Sequence, residues 1–290
     1  MPRNIDTTIF SSDWRVLEIR INELWDYVDE FVVCESNFTH SGFPKELLLS
    51  DNKEFISRYL PKLRVLKYVT KVPHKNARIQ EQRQRQFITN YLKSINLKKD
   101  DRIIHSDCDE IISPETIAQS RKLGADLLVQ LRNYTYFLNL RNGFWNRGRI
   151  VSGQKFISIQ HMRRDIFLYE LSQYRKLWIP FVRVPDFWTT KEKFLGIPQF
   201  VGSTPDLQLV EDSGWHFNNL MSNEGIARKI WWSSHVELAN VERSDLNRIS
   251  LARAEFVDVY HGEKFEVETE KNLLPNYVKR NIDQWKDYLI

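Results

Sequence analysis

Arg102-Ile103-Ile104-His105-Ser106-Asp107-Cys108-Asp109-Glu110 is the stretch on which the fold turns, because an apolar run of strand length passes directly into three carboxylates. Alternate residues of an extended chain point to the same side, so Asp107 and Asp109 can face one ion together. Hard divalent cations favour such oxygens, and Mg²⁺ or Mn²⁺ sites use one or two carboxylates, waters and substrate phosphates. An acidic loop at a strand end, or carboxylates drawn to the next helix's N-terminal dipole, would read the same way. The strand ahead of the acids favours the metal.

Outward from this stretch the first half alternates helix and strand. Val16, Leu17, Ile21, Leu24, Trp25 and Val28 recur at near-helical spacing, and Phe31 to Cys34 follows as a short buried strand. Leu63 to Val69 reads as strand, Ala77 to Ile95 as a polar helix and Arg102 to His105 as strand. A further helix begins after Ser113-Pro114, where Ser caps and Pro fits the first turn. Asp126 to Leu140 reads as one long strand. Such alternation predicts an α/β fold with a mainly parallel sheet, its ligands gathered beyond the carboxyl ends of the strands.

Beyond about residue 150 the alternation fades. His161, Arg163, Arg164, Tyr169, Tyr174, Arg175, Trp178 and Trp188 are scattered through a half expected to complete the sheet and build an acceptor side. No repeat or linker divides the 290 residues, so one domain over 1–290 is expected, with halves 1–150 and 151–290.

A net charge of +4 is too weak an excess to imply nucleic acid, although it leaves room for a local diphosphate site. Cys34 and Cys108 lie far apart and form no metal-ligand pair, which predicts free thiols. No apolar run approaches the roughly 20 residues of a spanning helix. A soluble, cytoplasmic protein is expected.

Three further constellations can carry chemistry. Glu35 and Ser36 end the strand Phe31–Cys34 and can hydrogen-bond a base or ribose, or simply cap a turn. Arg83 and Arg85 are two apart on a helix and do not share a face, so one at most points into a phosphate site. Ser213-Gly214-Trp215-His216-Phe217 offers close backbone approach, a stacking ring and a polar donor, with His235 and Glu237 farther on. A buried Trp and a hydrogen-bonded core His would look the same.

In this order the constellations resemble glycosyltransferase family 17, which contains β-1,4-mannosyl-glycoprotein N-acetylglucosaminyltransferases. The likeness runs through Leu17-Glu18-Ile19-Arg20-Ile21-Asn22-Glu23-Leu24, Phe31 to Thr39, Asp107 to Ile111 and Ser213 to Phe217. It continues in Leu274-Pro275-Asn276-Tyr277-Val278 and Trp285 to Leu289. Phe217 stands where animal members carry Cys, so the chain looks closer to soluble microbial or viral members. The resemblance implies a GT-A-type fold, a UDP-sugar donor such as UDP-N-acetylglucosamine, a glycan acceptor and inversion at the anomeric carbon. In that scheme Asp107 and Asp109 hold Mn²⁺ or Mg²⁺ against the diphosphate, and Glu35, Ser36 and Arg85 hold the nucleotide. Trp215 and His216 line the sugar site. Inversion also needs a base on the acceptor hydroxyl, for which Glu237 and Asp212 are the candidates.

Two other classes compete. A metal-dependent sugar nucleotidyltransferase would use the same sheet and carboxylates, but no Gly-rich triphosphate loop stands near the N-terminus. A carbohydrate-binding protein is suggested by 9 Trp, 11 Tyr and 17 Phe, yet has no use for Asp107 and Asp109.

Overall fold

Strand β1 (Asn4–Phe10) lies between β2 (Glu30–Ser36) and β4 (Arg102–His105) and runs parallel to both in the computed structural model, which describes residues 1–163 and 207–290. Its apolar pattern is interrupted by Asp6, Thr7 and Thr8, so periodicity does not announce it. All seven residues are nevertheless buried, because the strand is central and covered on both faces. Strand β3 (Leu63–Tyr68) extends the parallel set beyond β2.

On the other side of β4 the sheet becomes mixed. Strand β7 (Leu140–Ser152) pairs antiparallel with β4 and with β6 (Leu127–Thr135). Strands β8 (Gln208–Val210) and β9 (Gly214–Asn218) each run parallel to β6, while β5 (Glu110–Ile112) pairs antiparallel with β9. The short β10 (Glu266–Val267) pairs with β7. The α/β class and the largely parallel sheet are as expected, with antiparallel pairings confined to β5, β7 and their neighbours.

The single strand expected over Asp126 to Leu140 is corrected to two. The chain turns at Tyr136, which has φ 65°, and re-enters the sheet at Leu140 as β7. The turn itself, Tyr136-Phe137-Leu138-Asn139, is largely apolar and contains no Pro or Gly, so the sequence carries no break there. Arg164, Tyr169, Tyr174, Arg175, Trp178 and Trp188 lie outside the described residues.

Helices cover the two faces. On one, α1 (Trp14–Leu24) buries Val16, Leu17, Ile21 and Leu24 against Phe10, Phe31, Val33 and Ile104. On the other, α4 (Ala77–Ser94) buries Ile88 and Leu92 against Ile5, Val32, Cys34 and Ile103. Each such side chain contributes about 1.5–3 kcal/mol by leaving water. The short α2 (Leu48–Asp51) and α3 (Lys53–Arg58) connect β2 to β3. Helix α5 (Pro114–Leu123) starts as read: Ser113 Oγ accepts from Thr116 N, Pro114 is the first helical residue, and Gly124 closes the helix at φ 63°.

Four residues, Ser106 to Asp109, join β4 to β5, yet four strand spacings separate those strands in the order β4-β7-β6-β9-β5. In a flat sheet that would be about 19 Å, more than the roughly 18 Å five extended residue steps could span. The sheet therefore rolls. Gly148 on β7 marks the closure, since a Cβ there would meet Val129 Cγ2 at 2.6 Å and Ile112 Cδ1 of β5 at 3.1 Å. The connecting loop is thereby held at the carboxyl end of the parallel strands, beside β9.

Candidate active site

The Ser106–Asp109 loop is a turn, closed by a bond from Glu110 N to Asp107 O at 2.9 Å. Strict alternation fails there, and the two aspartates take different partners. Asp107 continues the side of β4 that faces α4: its Oδ1 accepts from Arg85 and its Oδ2 from Arg163, each at 3.2 Å. Asp109 Oδ2 accepts from Lys229 Nζ at 2.7 Å, and its Oδ1 faces His216 Nε2 at 3.8 Å. The turn keeps them near enough that Asp109's charge still opposes ionisation of Asp107.

Burial penalises both charges, but cations outweigh it. Arg163 and Arg85 hold the Asp107 carboxyl below the usual carboxylate range, and Lys229 with His216 does the same for Asp109. Glu110 goes the other way. Burial and the Asp107 charge push it up, while Trp145 Nε1 donates to its Oε1 at 2.5 Å and Asp107 N to its Oε2 at 2.9 Å. The Trp145 ring stacks on His216 with centroids 4.9 Å apart.

Lys229 comes from the helix Asn223–Trp232, whose start is capped by Ser222 Oγ accepting from Gly225 N. Ile226 and Ile230 bury that helix, and Lys229 reaches past them to Asp109, to Asp13 Oδ1 at 3.3 Å and to Asn218 Oδ1 at 3.5 Å. Asp13 follows β1, Asp109 follows β4 and Asn218 ends β9, so one ammonium joins three strand ends.

Arg85 is buried while Arg83 is exposed, as the two-residue spacing on α4 requires. Arg85 also binds Glu81 at 2.9 Å, and His40 lies 3.9 Å from the same carboxylate. Burial lowers the His40 pKa against Glu81's opposing charge, and Arg85 lowers it further.

Glu35 and Ser36 are fully buried with their polar atoms already engaged. The Glu35 carboxylate accepts from Leu49 N (3.0 Å), Ser50 N (2.9 Å) and Lys45 Nζ (3.2 Å), and Ser36 Oγ accepts from Phe38 N at 3.1 Å. They shape the loop after β2 from within.

Trp215 and His216 are consecutive on β9 and point to opposite faces. His216 looks towards Asp109, with a buried Nδ1 that lacks a hydrogen-bond partner. Trp215, 7% exposed, lies in the main core and donates from Nε1 to Leu273 O at 2.6 Å. Asp212 precedes β9, paired with Arg132 at φ 54°. It is four residues from His216 towards the amino end, about 13 Å along an extended chain. Glu237 is exposed and bonds His235 Nδ1 (3.1 Å) and Arg78 at the start of α4 (3.2 Å). The structure thus gathers Asp107, Asp109, Arg85 and His216, and sets Asp212, Glu237 and Trp215 apart from direct contact with them.

Among the described residues no group of three or more His, Cys, Asp or Glu side chains forms a protein-only metal cage. Cys34 and Cys108 are both free and buried, as expected. No described helix is long and apolar enough to cross a membrane.

Lys229, Trp145 and Asp13 give no signal in the sequence, where Arg163 is one of many scattered basic residues. None carries a local motif, because each reaches the site through the fold.

Residues 1–175 match glycosyltransferase family 17. Over 119 residues the chain is 34% identical to the β-1,4-mannosyl-glycoprotein 4-β-N-acetylglucosaminyltransferases of Rattus norvegicus and Homo sapiens, and 33% identical to that of Mus musculus. Each alignment covers 38% of this chain and 22% of the relative's length.

Proposed function

The chain belongs to glycosyltransferase family 17, and from that premise we propose that it moves N-acetylglucosamine from UDP-N-acetylglucosamine to a glycan hydroxyl, with inversion, on a GT-A-type fold. One observation carries the reading: at the carboxyl ends of β1, β4 and β9, two ionised aspartates are interleaved with Arg85, Arg163 and Lys229. Ligands of such sheets bind at that edge. Clustered cations beside carboxylates suit a nucleoside diphosphate held directly by protein charge and, through an ion, by carboxylate.

Mn²⁺ or Mg²⁺ fits the donor set. Such ions need only one or two protein carboxylates when phosphates and waters complete the shell, and Asp109 Oδ1 stands beyond hydrogen-bond length from His216. Asp109 would hold it through Oδ1, with Asp107 joining by turning from Arg85 and Arg163, and it would neutralise charge on the departing UDP. Arg85, Arg163 and Lys229 bind diphosphate oxygens. His216, backed by the Trp145 ring, orients the transferred sugar, and Trp215 supports it by fixing β9 to the C-terminal segment. Glu35 and Ser36 act on the nucleotide by holding the loop after β2.

Glu237 is the first candidate to take the proton from the acceptor hydroxyl, and because it stands apart from the aspartates, tied to Arg78 at the start of α4, the acceptor would have to span from it to the donor site. Burial alone would raise its pKa, but its own backbone N–H and His235 outweigh that, leaving it ionised at neutral pH. Asp212 is the second candidate, less favoured by its position before β9.

The test is UDP release from a panel of UDP-sugars with Mn²⁺ or Mg²⁺, with and without glycan acceptors. Release from UDP-N-acetylglucosamine above the other donors, stimulated by acceptor, is expected. Release of pyrophosphate from UTP and a sugar phosphate instead would make it a nucleotidyltransferase and sink the proposal.

A further inference from the structure

We propose that Arg20 is a positioning residue that sets the geometry of the Ser106–Asp109 loop, and so of the donor site; this rests on the glycosyltransferase reading above. Arg20 sits on α1, inside the Leu17–Leu24 stretch to which the proposed reaction assigns no role, and is 1% exposed. A guanidinium has five N–H donors, and all five are used. Nε and NH2 form a fork on Asp6 Oδ2 and Oδ1, both at 2.7 Å. NH1 donates to Asp107 O at 2.8 Å and to Glu110 O at 2.7 Å, and NH2 also donates to Ser106 Oγ at 2.8 Å. Ser106 Oγ in turn donates to Glu110 O at 2.6 Å.

The division of these bonds matters more than their number. Two fasten the guanidinium to β1, the central strand, and three grip the first and last parts of the carboxylate turn. With its carbonyls pinned on the α1 side, the turn sends the Asp107 side chain towards α4 and Asp109 towards Lys229. A buried ion pair is seldom worth more to stability than apolar side chains of the same volume. What apolar groups cannot replace is the simultaneous hold on three loop atoms. Lysine keeps the charge but offers a single ammonium with no fork, so Arg20→Lys tests geometry at constant charge.

Two readouts separate positioning from bulk stability. The first is the loop itself: Cys108 lies within it and Cys34 lies in β2, both buried, and they are the chain's 2 cysteines. In Arg20→Lys, thiol labelling of Cys108 should accelerate about tenfold while Cys34 is unchanged, because only the loop opens locally. The second is UDP affinity with Mn²⁺ and the donor KM, each expected to weaken about tenfold at unchanged acceptor KM. Asp101→Asn, which weakens the Arg3–Asp101 pair before β4, serves as the stability control and should change neither. Ser106→Ala removes one link and leaves the ion pair intact, so it gives a milder form of both effects should Arg20→Lys fail to fold.

Equal acceleration of both thiols, or none, overturns the proposal, as does UDP affinity in the variants within about twofold of the parent. Failure of the parent to bind UDP would instead strike the functional reading, and the cysteine ratio would still decide the role of Arg20.

Discussion

Lys229 Nζ lies 2.7 Å from Asp109 Oδ2 although 120 residues separate them in the chain. The same ammonium is 3.3 Å from Asp13 Oδ1. Its pKa is driven up: burial alone would lower it, but Asp109 and Asp13 together outweigh burial. The lysine is thus a fixed positive charge at the point where three strand ends meet.

Lys229→Met should therefore leave two carboxylates facing each other without a counter-charge. Breaking a buried pair costs about 3–5 kcal/mol, and because the Lys229 side chain is 26% exposed a loss nearer 2 kcal/mol is expected. A double-mutant cycle with Asp109→Asn in urea denaturation measures the coupling. Additive effects would show that the two groups do not act on each other.

Asp109→Ala should abolish Mn²⁺-dependent UDP binding while leaving the fold intact, since Lys229 keeps Asp13 as a partner and His216 keeps its packing on Trp145. Asp107→Ala should be milder, because Arg85 and Arg163 remain as diphosphate ligands. Calorimetric titration with UDP, with and without Mn²⁺, compares them. Undiminished affinity in Asp109→Ala with Mn²⁺ would remove the metal assignment.

Much of this neighbourhood was legible in sequence, and the reason is local. Arg102–His105 is a short strand centred on Ile103 and Ile104 that runs into acids, the two-residue spacing of Arg83 and Arg85 on α4 allows one of them inside, and Ser113-Pro114 is a complete helix start. Strand β1 was not legible, because Asp6 is buried against Arg20 rather than exposed and so breaks the pattern that periodicity detects. The β6–β7 turn was hidden because its residues Tyr136, Phe137 and Leu138 are strand formers with no Pro or Gly among them. Lys229, Trp145 and Asp13 were beyond reach for a different reason: their role is set by the rolled sheet that carries β9 and the helix Asn223–Trp232 to the end of β4, and no spacing encodes that closure.

Acid should destabilise the protein in a window set partly by His40, which faces Glu81, Arg85, Asp107 and Lys45. Its pKa is depressed in the folded chain by burial and Arg85, against Glu81. Between that lowered value and the ordinary value of about 6.5, the unfolded chain binds a proton that the folded chain does not. Stability must then rise with pH in this window and be lost as pH falls below about 6.5, at a slope of at most about 1.4 kcal/mol per unit for one group. His40→Gln should flatten that slope. A parent-minus-variant difference in unfolding free energy that is the same at pH 7 and pH 5 would exclude His40 as a contributor.

Trp215 and His216 give the sharpest contrast, because adjacent substitutions on one strand should fail in different ways. Trp215 is a core side chain whose indole N–H satisfies Leu273 O, so Trp215→Ala both opens a cavity and strands a carbonyl. A loss of about 3–5 kcal/mol is expected, and UDP binding and transfer should fall together as the folded fraction falls. His216 is packed on Trp145 with its Nε2 towards Asp109 and its Nδ1 unpartnered, so His216→Ala removes little core volume. It should lower sugar transfer while shifting the melting temperature by a few degrees at most, about what 1 kcal/mol produces in a chain of this size. Thermal melts and donor kinetics on the two variants read this directly. Should Trp215→Ala melt with the parent and lose transfer alone, the indole would contact the transferred sugar, and Leu273 would be an incidental neighbour.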